Sequence, residues 1–246
     1  MVEKNKKIVA ILQARMGSSR LPGKVLENVA GLPMIALIIN RTRRSHYIDQ
    51  LVVATTQLSE DDLIKICSNE FGVPCYRGAE GDCLDRYYQA AKQYEARIIV
   101  RLTGDNPFVD FRFVDWVIEK YLSANPPFDY IDTTISKTFP LGLSVEVFSF
   151  DVLEIAWKEE SNMRRREHVT PFITRHPGLF RICNLKSHND YSHIRLTVDT
   201  QEDLIFIRRI YDYFGHDRFS WRDVLNVLEQ HPEWLEINHQ VKQKVI

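Results

Sequence analysis

A three-layer α/β fold around a mostly parallel sheet is predicted by three observations. Apolar runs of strand length alternate with amphipathic helical segments through about residue 125. The runs are apolar on both faces, as strands covered by helices on two sides must be. Two chemically rich loops, ARMGSSRLPGK and TGDNP, directly follow such runs, where ligands bind in sheets of this kind.

Residues 7–14 (KIVAILQA) form the first strand, rich in branched residues. Pro33 opens a helix through residue 45, with arginines gathered at its C-terminal end, where the helix dipole favours cations. Residues 50–56 (QLVVATT) are a second buried strand. Ser59 and Asp62 are placed to cap a helix that runs through Phe71 and ends at Gly72. A short strand over 74–78, a helix over 82–95, a strand over 97–105 and a helix over 111–124 follow, the last stopped by Asn125-Pro126-Pro127.

The rhythm then changes. Residues 128–134, 141–150 and 180–186 have strand character, with helices expected over 151–161 and 166–177. The stretch 128–184 is thus an α+β insertion or a mixed sheet edge within one domain spanning 1–246. A further strand over 193–200 ends in an acid, and helices over 201–215 and 220–230 close the chain.

Composition narrows the function. Hydrophobic residues make up 44% of the 246, enough for a sizeable core. Lys+Arg number 32 against 33 Asp+Glu, a balance that argues against bulk nucleic-acid binding. The four cysteines form no C-x-x-C pair, so reduced thiols are expected and zinc is not. After the charged start MVEKNKK, the apolar run Ile8 to Leu12 is too short for an export signal or a membrane span, which favours the cytoplasm. No Ser-His-Asp order at a nucleophile elbow supports hydrolase chemistry.

The loop from Ala14 to Lys24 carries Arg15, Arg20 and Lys24 and no acid. It is not a Walker A loop: five residues separate Gly17 from Gly23, Val25 stands where Ser or Thr would hold a metal, and Pro22 interrupts it. The dinucleotide fingerprint is absent as well. The three cations can still converge on a triphosphate, with backbone N–H groups at Gly17 to Ser19 as an anion nest. Asp105 and Asp199, each after an apolar run, would suit a magnesium site completed by phosphate oxygens. Asp199 could instead cap the next helix, whereas for the helix after Asp105 the better cap is Asp110.

QARMGSSRLPGK, RLTGDNPFVD, EVFS, REHVTPFI and RLTVDTQEDL, in that order, resemble the cytidylyltransferases that activate acidic sugars, the enzymes that couple CTP to sialic acids and to ketodeoxyoctulosonate. The nearest likeness is to the spore-coat polysaccharide biosynthesis subgroup. The resemblance implies a Rossmann-like nucleotide-diphospho-sugar transferase sheet, a Mg2+ cofactor and attack by an acceptor oxygen on the α-phosphate of CTP. By motif match, Ala14, Arg15, Gly17, Ser18, Arg20 and Lys24 would meet the triphosphate, and Arg77 and Thr103 the base and ribose. Asp105 and Asp199 would hold the metal, with Arg15, Lys24 and Asp105 carrying catalysis.

Glu146, Arg165, Arg166 and His168 are the expected acceptor contacts, and pairing into a homodimer through 128–184 is expected from the same likeness. Two departures matter: Thr103 stands where the sialate and octulosonate enzymes have a cytosine-reading glutamine, and Leu141 and Ser144 replace acids common in the subgroup. With those acids gone and Lys137, Arg164 and Arg175 nearby, an anionic acceptor is expected. Two alternatives remain open: a glycosyltransferase consuming a nucleotide sugar, and an inactive nucleotide-binding relative.

Overall fold

The computed structural model describes residues 6–243, so the charged residues 1–5 lie outside the description. β1 (Ile8–Gln13), β4 (Gln50–Thr56), β5 (Cys75–Gly78) and β6 (Ile98–Thr103) run parallel. β7 (Tyr130–Asp132), β8 (Glu146–Ser149) and β9 (Ile182–Asn184) extend the same seven-stranded sheet in the order β5-β4-β1-β6-β8-β7-β9. Only β8 runs against the others, pairing antiparallel with both β6 and β7. The stretch 128–184 therefore builds one edge of the main sheet. A small hairpin, β2 (Asn28–Val29) with β3 (Leu32–Pro33), stands apart.

Helices cover both faces, because the strands are apolar on both. Ala10, Leu12, Val53 and Val100 pack under α1 (Met34–Thr42), α2 (Asp62–Glu70), α4 (Phe111–Ser123), α8 (Gln201–Phe214) and α9 (Trp221–Gln230). Val9, Ile11, Val52 and Ile99 pack under α3 (Cys83–Gln93), α5 (Phe150–Glu159) and α7 (Pro171–Arg175). Among the described residues no helix is long and apolar enough to cross a membrane.

Four expectations are corrected. Residues 193–200 form no strand: their one β-bridge among the described residues joins Arg195 to Leu141. Gly142 explains the closeness, since at φ +108 a Cβ there would lie 2.6 Å from the Thr197 nitrogen. Of the strand expected over 141–150, only Glu146–Ser149 pairs. Of the helix expected over 166–177, only Arg166, which ends α6 (Met163–Arg166), and α7 are helical, because Pro171 has no N–H to continue a helix and instead starts one. Ser59 and Asp62 do not cap α2; a 3₁₀ turn over Ser59–Asp61 leads into it.

Candidate active site

The chain moves from β1 outward to β4 and β5, then returns to place β6 on the other side of β1. The carboxyl ends of β1 and β6 thus flank the topological switch point, the place where open α/β sheets bind ligands. Both chemically rich loops leave from there. The Ala14 N–H donates to Ala54 O, holding the start of the first loop to β4. Gly104 lets the second loop close on the first: its N–H donates to Gln13 O at 2.8 Å, and a Cβ would crowd Gln13 O and Ala14.

The first loop is moored from below by Asp61, which is fully buried. Its carboxylate accepts the Met16 N–H at 2.7 Å and the Thr56 N–H and hydroxyl. Inside the loop, Ser18 N–H and Gly23 N–H both donate to Met16 O. The Ser18 amide is therefore used by the loop itself rather than offered to an anion, as the nest reading had it.

Lys24 lies at the centre. Its ammonium donates to Asp105 Oδ2 at 3.1 Å, Asp199 Oδ1 at 2.8 Å and Val198 O at 2.6 Å, while only 7% of the residue is exposed. Arg20 and Arg195 each reach Asp199 Oδ2 at 2.7 Å. Arg195 is held in turn by Asp203, which is fully buried. Burial works against the Lys24 charge, but Asp105 and Asp199 outweigh it and raise its pKa. Burial pushes the Asp199 carboxyl up, yet Lys24, Arg195 and Arg20 bring it below the ordinary range. Asp199 is not a helix cap, because Thr200 caps α8 in a capping box with Asp203.

Two carboxylates facing one point is a donor set that suits Mg2+, which is ordinarily bound through one or two carboxylates plus phosphate oxygens. No cluster of three or more His, Cys, Asp or Glu suited to a metal occurs among the described residues.

The other expected nucleotide contacts are spread around this centre. Arg15 stands at the mouth, 42% exposed and 3.5 Å from Glu167. Gly17 lies against Glu60, and the Thr103 hydroxyl accepts from Asn106. Arg77 is tied to Thr56 O, Leu58 O and Asp62, at the far side beyond β4.

A second cleft, of about 460 Å³, opens beyond β6. Glu146 and His168 line it together with Arg101, Tyr130, Asp132 and Thr170. The register explains this grouping: Arg101, Glu146, Asp132 and Asn184 are successive partners across β6, β8, β7 and β9, so their side chains share one face. Arg101 pairs with Glu146, and Tyr130 O–H lies 2.7 Å from Glu146 and 3.2 Å from Asp132. Burial and the Glu146 charge raise the Asp132 pKa against the bonds it accepts from Thr134 and Ile135.

The expected Arg166 contact is corrected. Its guanidinium is bound to Asp82, Trp157 O and Glu160 O, so it fastens α6 to α3 and α5. Arg165 pairs with Glu160. Sequence reading missed Arg101, Tyr130, Asp132, Asp61 and Arg195. A charged residue inside an apolar run was the available signal for Arg101 and Asp132.

Comparison with known proteins agrees with this geometry. The cytidylyltransferase family matches residues 9–231. The spore coat polysaccharide biosynthesis protein SpsF of Bacillus subtilis is 33% identical over 92% of this chain and 95% of its own. A 3-deoxy-manno-octulosonate cytidylyltransferase of Trichlorobacter lovleyi is 36% identical, over 48% of this chain and 46% of its own. A solved cytidylyltransferase structure from Leptospira borgpetersenii superposes with a TM-score of 0.91 at 30% identity, covering 98% of this chain and 99% of that one. The match over residues 9–231, and the likeness over nearly the whole length of SpsF, show that the chain belongs to the cytidylyltransferase family and is a CTP-dependent nucleotidyltransferase.

Proposed function

We propose that this enzyme transfers CMP from CTP to an acidic sugar or a phosphorylated small molecule and releases pyrophosphate, serving surface polysaccharide or glycan precursor synthesis in the cytoplasm. The observation that carries the reading is the Lys24 ammonium, clamped by Asp105 and Asp199 beside the cationic loop. Arg15, Ser18, Arg20 and Lys24 receive the triphosphate, and Gly17 lets the loop approach it. Arg77 and Thr103 face the base and ribose. Asp105 and Asp199 hold Mg2+, which when bound supplies positive charge to the phosphate oxygens. Lys24 and Arg15 are then the chain's own cations for the charge that builds up in the transition state.

The second cleft is assigned to the acceptor, with Glu146 and His168, which line it, and Arg165 as the contacts. Its one arginine is neutralised by Glu146, so the acceptor's anionic group is placed toward Arg15 at the mouth. The hydroxyl-rich remainder enters among Thr170, His168 and Glu146.

The test is pyrophosphate release from each of the four nucleoside triphosphates with a panel of acceptors: 3-deoxy-manno-octulosonate, a sialic acid, a phosphorylated alcohol and a neutral hexose. CTP with an anionic acceptor is the expected productive pair. Efficient turnover of the neutral hexose would refute the acceptor class. Asp105→Asn and Asp199→Asn are each expected to shift the magnesium titration of activity to higher concentrations, because an amide supplies no charge. A residue whose variant keeps the wild-type titration is not a ligand.

Pairing into a homodimer through 128–184 belongs to the same proposal. Ile135, Met163 and Leu179 are exposed apolar residues in that stretch. Light scattering at micromolar concentration is expected to give twice the chain mass of 28.9 kDa; the single-chain mass would exclude it.

A further inference from the structure

We propose that His168 is the general base of the transfer, its imidazole taking the proton of the acceptor hydroxyl as that oxygen attacks the α-phosphorus of CTP. The proposal rests on the reading of crevice and cleft given above and adds a proton acceptor to it. An acceptor alcohol is neutral until its O–P bond forms, so its proton needs a destination. As the O–H bond breaks, the proton passes to a ring nitrogen and the oxygen's electron pair forms the new bond to phosphorus. The bond from that phosphorus to the bridging oxygen breaks, and pyrophosphate leaves with the electron pair. The imidazolium afterwards returns its proton to water.

Placement comes first. Glu167, the preceding residue, reaches Arg15 of the triphosphate loop at 3.5 Å. Val169 and Thr170, the following residues, are buried, which fixes the backbone on that side. Between them His168 lines the cleft with Arg101, Tyr130 and Glu146. It therefore stands where the nucleotide crevice meets the acceptor cleft, which is where the attacking oxygen must be.

Elimination comes second. Asp132 is held as a fixed acceptor by Thr134 N–H and hydroxyl and by Ile135 N–H. Glu146 is engaged by Arg101 and Tyr130. Burial keeps the Tyr130 phenol protonated far above its usual range. Asp105 and Asp199 face Lys24 on the other side of the loop. The His168 ring, by contrast, makes no hydrogen bond among the described residues.

The charges around His168 are Arg15 on the loop, Arg101 on β6, Glu146 on β8, Asp132 on β7 and its own neighbour Glu167. Burial lowers its pKa, Glu167 pulls the other way, and Arg101 and Arg15 lower it further. The ring is thus neutral near pH 7, the form a general base needs.

The experiment is initial-rate kinetics across pH for the wild type, His168→Gln and Asp132→Asn, with CTP and 3-deoxy-manno-octulosonate or the sialic acid, the acidic acceptors of the panel that attack through a hydroxyl; turnover of the phosphorylated alcohol alone overturns the proposal. Calorimetry of CTP binding accompanies it. Wild-type kcat is expected to fall toward acid as one group protonates. His168→Gln should lose about 10²–10⁴-fold in kcat and lose that acidic limb, with CTP affinity unchanged. Asp132→Asn should keep the limb. A limb that persists in His168→Gln, or that vanishes in Asp132→Asn, overturns the proposal. So does a His168→Gln kcat within tenfold of wild type with only the acceptor KM raised. Failure of the wild type on every acceptor would instead overturn the functional reading itself.

Discussion

Lys24→Ala is expected to cut turnover by about 10²–10³-fold while the chain still folds, the usual cost of losing one positioned donor to transition-state charge. The fold should survive because Asp199 keeps Arg20 and Arg195, and Asp105 is partly exposed to water. Arg15→Ala should lower turnover too, without touching the buried cluster. Pyrophosphate release measures both, and near-normal rates in both would remove the loop from the mechanism.

The same variant has a pH signature. The Asp199 carboxyl ionises below its ordinary value of 3.8, so its stabilising contribution is present above that pH and is lost as pH falls through the lowered value. Lys24 ionises above its ordinary 10.5, so its contribution is present below that pH and is lost as pH climbs through the raised value. Removing Lys24 abolishes the alkaline loss and moves the acid loss to higher pH, because one of the charges depressing Asp199 is gone. Thermal melts across pH report both limbs.

The parallel half of the fold is legible because β1, β4 and β6 are largely apolar runs. Of the residues singled out from the sequence, Arg15, Lys24 and Asp105 lie in the loops that directly follow β1 and β6. What was not legible depends on pairing at long range. Arg41 reads as a cation at a helix end, yet it is fully buried and donates to the carbonyls of Val109, Asp217, Phe108 and Phe219.

Asp61 reads as one acid among several before α2, and only the fold shows that it holds Met16 of the nucleotide loop. Residues 193–200 have strand composition, but their pairing with Leu141 stops at Arg195, and the Val198 N–H goes to Asp105 O instead. The second cleft was hardest to foresee. Its row of polar side chains arises from the register of four strands, one of them antiparallel, and register is absent from local pattern.

Arg101→Met is expected to lower stability by about 3–5 kcal/mol, because it strands the Glu146 carboxylate on the sheet face without its partner. Glu146 has 4% of its side chain exposed, so water cannot replace the guanidinium. For a chain of this length that is a fall in melting temperature on the order of 10 °C. Glu146→Gln should cost less, since the amide oxygen still accepts from Arg101 and the Arg101 side chain is 13% exposed.

The decisive case is the double variant Arg101→Met, Glu146→Leu. With both charges gone, no unpaired charge from the pair remains on that face, and the Tyr130 hydroxyl can turn to Asp132. The double variant should therefore recover most of the loss, as buried ion pairs replaced by apolar groups commonly do. Its acceptor KM should nevertheless stay far above wild type, because the cleft wall that faces the acceptor has lost its polar groups. Denaturant unfolding and initial-rate kinetics separate the two effects. Recovery of stability together with wild-type acceptor kinetics would mean that the Arg101–Glu146 pair serves only the sheet, and that the acceptor binds elsewhere.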